Sequence, residues 1–306
     1  MSRFSKTMIV LLLLAGAAYY WLMVNAGPSN APIHKFDLAA MRAAANTMPG
    51  DKPTLLEYAP IASRQVPGAA LAAGNGLRQI TSSVMAWRLV TPRGGIVIDS
   101  GLSQKDASAI GMKRFDKRAQ AVVNAWMSQA ELILFTHEHI DHVGGFLDYD
   151  QFEKVADKAI LSPDLVRGMT SLWRENTGLL PKPRALAPIQ AVAPGVVLIQ
   201  TPGHTPASQM IFVQTKGGRE YLFAGDTGSL ANNILQVTPR SRLLSDWLVK
   251  EDRSAVIGWL KGLDDLRQAD KTLVVIPSHD PAWIAITSRN DGFIMAKALW
   301  RHPEAH

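Results

Sequence analysis

Apolar residues fall along this 306-residue chain in three patterns. The first is an unbroken run from Met8 to Val24, preceded by Arg3 and Lys6 and stopped by Asn25, Gly27 and Pro28. Short apolar runs between turn-forming residues make the second: Ser83 to Val90, Ile96 to Asp99, Glu131 to Phe135, Ala159 to Ser162, Val196 to Gln200, Met210 to Gln214, Tyr221 to Ala224 and Leu273 to Ile276. Runs of this length and bounding read as strands, and Thr91-Pro92-Arg93-Gly94-Gly95 joins the first two as a hairpin. The third is helical spacing, clearest over Lys113 to Gln129, where Phe115, Ala119, Val122, Val123, Trp126 and Met127 share a face. Helices are also expected over Phe36 to Asn46, Leu243 to Leu266 and Asp291 to Trp300. Strands occurring both as hairpins and between helices predict an α/β class with a mixed sheet.

The patterns divide the chain into three. Residues 1–26 have the positive, apolar, then small-residue order of an export signal, with Val24-Asn25-Ala26 as a cleavage site. The same run is long enough to span a bilayer, and Tyr19, Tyr20 and Trp21 near its outer end suit an interfacial belt, so residues 8–24 read equally as a membrane tether. Either way the remainder is expected outside the cytoplasm, periplasmic or anchored. Residues 27–80, rich in Ala, Pro and Gly, read as an extension wrapping the domain, with regular structure beginning at Ser83. Residues 81–306 form the functional domain.

Composition narrows the chemistry. There is no cysteine, which removes disulfides, thiolate ligands and thiol nucleophiles together. A metal here must be held by nitrogen and oxygen. The net charge of +6 is spread thinly, and Arg240, Arg242 and Lys250 read as a solvated helix face, so no nucleic-acid surface is expected.

Candidate ligands gather at strand ends. Asp99, His137, His204, Asp226 and His279 each follow a different predicted strand, at the carboxyl end where open α/β sheets place their sites. Thr201-Pro202-Gly203, Gly225 and Pro277-Ser278 supply the abrupt turns that deliver three of them. The stretch THEHIDHVGG, residues 136–145, adds His139, Asp141 and His142. In an extended loop His137, His139 and Asp141 point one way and His142 the other. Five of the eight histidines thus fall in these motifs, while His34, His302 and His306 fit none and read as surface residues.

HEHIDHVGG resembles the His-x-His-x-Asp-His signature of the metallo-β-lactamase superfamily, and TPGHTPAS, LFAGDTG and PSHD are similar to its later motifs in the same order. The resemblance spans about residues 83–285 and implies a four-layered αβ/βα sandwich with two metals at one edge. It assigns His137, His139 and His204 to the first ion, Asp141, His142 and His279 to the second, and Asp226 to the bridge. Asp99 matches an acid placed behind the ligands, orienting one of them. The ions implied are two Zn2+, and iron or manganese suits the same ligands.

The implied reaction is hydrolysis by a hydroxide shared between the ions, with Asp141 passing a proton to the leaving group. Subfamilies separate partly by ligand. Asp226 argues against β-lactam cleavage, and His139 excludes the flavodiiron proteins. The bridging Asp and PSHD resemble the acyl-homoserine lactonases, yet Ser229 stands where those typically have tyrosine. No glutathione-binding region is visible. The expectation is therefore hydrolysis of a small-molecule ester or lactone. The alternatives are a glyoxalase II-like thioesterase and a mononuclear iron persulfide dioxygenase, with β-lactamase and phosphodiesterase disfavoured. Phe146, Leu147, Tyr149, Met169, Leu172, Trp173, Leu179, Leu180 and Trp283 are candidates for an apolar substrate wall, or equally for local core.

Overall fold

The computed structural model describes residues 1–299, and Trp300, His302 and His306 lie outside the described residues. Its strands are β1 (Leu55–Pro67), β2 (Gln79–Val90), β3 (Ile96–Ile98), β4 (Arg114–Phe115), β5 (Leu132–Leu134), β6 (Ile189–Ala193), β7 (Val196–Gln200), β8 (Gln209–Gln214), β9 (Glu220–Phe223), β10 (Leu273–Ile276) and β11 (Phe293–Met295). They form two sheets, one ordered β11-β1-β2-β3-β5 with β4 beside β1, the other β10-β9-β8-β7-β6. Each mixes parallel and antiparallel pairs: β3 runs parallel to β5 and β9 parallel to β10.

Side-chain alternation along the strands builds the layers. In β7, Val196 and Leu198 enter the core between the sheets, where they meet Met85, Trp87, Ile98 and Leu134 of the first sheet. Val197 and Ile199 face the other way, onto Leu260 and Leu263 of the Arg253–Ala269 helix and Met41 of the Leu38–Ala45 helix. On the outer face of the first sheet, Val84, Ala86, Val97 and Ile133 pack against Ala119, Val123 and Met127 of the Lys117–Gln129 helix and Val143 and Phe146 of the Ile140–Leu147 helix. The result is helices, sheet, sheet, helices, the αβ/βα sandwich.

Several expectations are corrected. Residues 27–80 are not only a surface wrap, because β1 lies inside the first sheet and pairs with β2 from Leu55↔Val90 to Pro67↔Gln79. Pro60 and a register shift between Pro60 and Ala62 break the period of two that would have revealed it. Ala159 to Ser162 contributes one isolated bridge, Ile133↔Ala159. The helical stretch from Leu243 is interrupted: a wide turn covers Leu243–Leu248, and the Arg253–Ala269 helix starts afresh with Asp252 as its cap. The last helix precedes its expected place, at Pro281–Asp291, and β11 follows it.

Candidate metal centre

Loops at one edge of the two sheets bring all seven candidate ligands together. His137 follows β5 in the buried turn after Thr136. His139 caps the Ile140–Leu147 helix, so Asp141 and His142 sit in its first turn rather than in an extended loop. The helix can lie this close to the sheet because residue 145 is glycine: a Cβ there would stand 2.1 Å from the Ser100 carbonyl oxygen. His204 follows β7, Asp226 lies in the tight Gly225–Gly228 turn after β9, and His279 follows β10.

These atoms form two groups. His137, His139, His204 and Asp226 make one, and Asp141, His142 and His279 the other. In the first, Nδ1 of His139 is 3.0 Å from Nε2 of both His137 and His204. Oδ2 of Asp226 is 3.8 Å from His137 Nε2 and 3.5 Å from His204 Nε2. In the second, Oδ2 of Asp141 is 3.8 Å from His142 Nε2 and 3.7 Å from His279 Nε2. Oδ1 of Asp226 faces that group, 2.8 Å from His279 Nε2 and 3.6 Å from His142 Nε2. One carboxylate thus offers an oxygen to each group.

Three imidazoles are held from behind. His142 Nδ1 donates to Oδ2 of Asp99 at 2.8 Å, His204 Nδ1 to Oε1 of Glu251 at 2.9 Å, and His279 Nδ1 to the Ser83 carbonyl at 2.9 Å. Each bond fixes the tautomer that leaves the Nε2 lone pair facing the centre, the arrangement that orients metal-binding histidines. Asp99 is itself fixed by the Thr136 backbone N–H, at 2.8 Å from its Oδ1, and takes a backbone φ of 58° that non-glycine residues rarely adopt. Asp226 accepts from Ser278 Oγ at 2.5 Å and from the buried Arg240 guanidinium, which also bonds Ser229 and Glu251.

The donor set fits divalent cations. His142 Nε2 is buried with no hydrogen-bond partner, although it points among carboxylate oxygens. The electrostatics of the two groups differ. Burial and the neighbouring imidazoles push His137 well below the ordinary histidine value, and burial with His204 pushes His139 to about 4, so these two present neutral nitrogens. In the second, burial opposes charge on His142, but Asp99, Asp141 and Asp226 outweigh it and hold the imidazole up at about 10. Burial likewise opposes charge on His279, and Asp226 outweighs it, raising that imidazole too. Asp226 stays well below the carboxylate range against its own burial, held there by His279, Arg240 and His142. The proton on His142 therefore carries positive charge that a bound cation would supply instead.

Other expected roles are redistributed. Phe146, Leu147 and Met169 are fully buried core, and His34 stacks on Trp259 at 4.4 Å between centroids. Leu172 does line a cavity of about 280 Å³ over His139, Asp141, Asp226 and His279, together with Ile140 and Met112. Arg240, expected on a solvated face, is buried beside Asp226. Neither it nor Glu251 carries a spacing signal in the sequence. Their roles come from the loop that folds residues 238–252 back over His204.

Comparison with known proteins agrees with this geometry. Residues 78–279 match the family model described as the Metallo-beta-lactamase superfamily. No curated protein matches in sequence. Among solved structures, a quorum-quenching N-acyl homoserine lactone lactonase is 20% identical over 76% of this chain and 94% of its own, with a TM-score of 0.58. An N-acyl homoserine lactone hydrolase, with N-hexanoyl-L-homoserine at its catalytic metal center, is 18% identical over 77% and 96%, TM-score 0.59. A probable metal-dependent hydrolase from Staphylococcus aureus is 15% identical over 76% and 91%, TM-score 0.58. At these identities the likeness is one of fold.

Proposed function

The chain belongs to the metallo-β-lactamase superfamily and is a metallo-hydrolase of that fold, and from that premise we propose that it opens a carboxylic ester or lactone bond in a small apolar substrate using two zinc ions. The observation that carries this reading is Asp226, whose two oxygens face two separate groups of ligand atoms. His137, His139 and His204 would hold one ion, Asp141, His142 and His279 the other, and Asp226 would bridge them. Nitrogen and oxygen donors without thiolate suit zinc, and iron or manganese also. Two such ions, when bound, supply a hydroxide nucleophile at neutral pH and polarise the carbonyl under attack.

The chain's own residues do the rest. Asp141 borders both the second group and the cavity, so its carboxylate is placed to take a proton and return it to the leaving alkoxide. Asp99, Glu251 and the Ser83 carbonyl keep three imidazoles aimed. Position 229 is a serine, bonded to Arg240 and the Asp226 carbonyl, and supplies no phenol. The apolar cavity wall favours an acyl or aryl group over a highly charged substrate. We place Arg3–Val24 as an export signal or a membrane anchor, with the catalytic domain outside the cytoplasm.

The test is turnover of an aryl ester, a lactone, a glutathione thioester, a phosphodiester and a cephalosporin by the zinc-loaded protein. Preferred cleavage of ester or lactone is expected. Preference for the thioester would replace this reading with the glyoxalase II-like one. Oxygen consumption with a persulfide on a single iron would replace it with the dioxygenase.

A further inference from the structure

The apolar N-terminal helix does not hang free of the catalytic body. It runs for 22 residues from Arg3 to Val24, its most apolar 18-residue window has a mean hydropathy of 2.0, and none of that window is buried. Its carboxyl end is pinned. Arg242 lies over the Trp21 ring at 4.4 Å, the Gly74 N–H donates to the Met23 carbonyl at 2.9 Å, and Arg253 donates to the carbonyls of Asn25 at 2.8 Å and Gly27 at 2.7 Å. Lys261 binds the Ser29 and Ala31 carbonyls, each at 2.8 Å. With no slack between helix and body, a membrane around the helix would meet whatever surface surrounds Arg242.

That surface carries exposed apolar side chains beside the Arg242–Asp246 ion pair. Leu243, Trp247 and Leu248, directly after Arg242, are exposed, the latter two at 71% and 69%. The same segment lines the cavity over the metal centre through Leu244 and Val249. A second segment repeats the arrangement: Leu172 lines the cavity while the adjacent Trp173 is 91% exposed, at a backbone φ of 54°. Two exposed tryptophans, each in a segment that lines the cavity, are what a membrane interface favours.

We infer that this rim lies in the lipid interface beside the N-terminal helix, so that the cavity opens toward the bilayer and takes an amphiphilic ester whose chain resides in the membrane. The substrate half of the inference rests on the hydrolase reading above. The contact half does not. Trp173, Trp247 and Leu248 would dip into the headgroup and upper acyl region, and Leu172, Leu244 and Val249 would continue the apolar path inward to His139 and Asp141.

The chain has no cysteine, so single labels are clean. The full chain carrying Leu248→Cys, with a polarity-sensitive fluorophore, is reconstituted in phosphatidylcholine–phosphatidylglycerol vesicles. Lys216→Cys, on the exposed turn before β9, serves as the aqueous reference. Quenching of the 248 label, and not the 216 label, by lipid-attached quenchers is expected. Equal aqueous behaviour of both labels would overturn the contact. Separately, the double variant Trp247→Asp, Leu248→Asp should lower turnover of a long-chain ester held in the vesicles on the order of tenfold, with a short soluble ester hydrolysed as before. Equal turnover of the vesicle-held ester by variant and parent would overturn the substrate assignment. If the parent hydrolyses neither ester while the 248 label lies in lipid, the hydrolase reading fails and the membrane contact stands.

Discussion

The buried guanidinium of Arg240 donates to Oδ2 of Asp226, the carboxylate oxygen that faces His137 and His204. It also bonds Glu251, which in turn holds His204. Without metal, this guanidinium stands with the protonated His142 imidazole against four carboxylates, Asp99, Asp141, Asp226 and Glu251. Arg240→Met should therefore destabilise the metal-free protein by about 3–5 kcal/mol, the cost of breaking a buried pair. The metal-loaded form should lose clearly less, because bound ions compensate Asp226. Denaturant unfolding with and without zinc measures both, and equal losses would remove the charge argument.

His139→Ala and Asp226→Ala should each lower kcat by more than the roughly 10–100-fold typical of residues that only orient ligands. Both side chains sit at loop ends rather than in a hydrophobic core, so circular dichroism should report an intact fold. Full turnover by Asp226→Ala would mean that the carboxylate bridges nothing.

Asp99 touches His142 and no group that faces the cavity. Asp99→Asn should weaken metal affinity about 10–100-fold while leaving the ligand set whole. Competition with a chromophoric chelator reads this directly. Unchanged affinity would reduce Asp99 to a structural acid of the Thr136 turn.

Metal loading should release protons. In the metal-free protein His142 is held up at about 10, so at neutral pH it carries a proton that a cation must displace, and Asp226 shifts His279 in the same direction. About one to two protons per chain should appear in weakly buffered solution on zinc addition, and affinity should fall as the pH falls. Loading without proton release would show that these imidazoles are already neutral.

The sequence made four strands of the second sheet legible because β7, β8, β9 and β10 are short, continuous apolar runs with turn residues at both ends, while β6 went unread. It hid β1, whose alternation is broken by Pro60 and the shift at Ala62, and it ran Leu243–Leu266 together because helical spacing does not register the break at Val249 to Asp252. All seven candidate ligands were visible, since histidine and aspartate at strand ends stand out from an apolar background. Arg240 and Glu251 were not. A buried arginine looks like a surface one until the loop that buries it is seen, and glutamate behind a histidine has no fixed spacing from it. Asp141 was visible but misplaced in its geometry, because the helix begins at Ile140 and swings it from His137 toward His279.

The most direct test of the central claim is a zinc titration of the metal-free full chain, following hydrolysis of an aryl ester or lactone. The two ligand groups sharing Asp226 predict activity that rises to a plateau at two equivalents per chain. A plateau at one equivalent, or no hydrolysis at any zinc level with oxygen uptake on one iron, would contradict it.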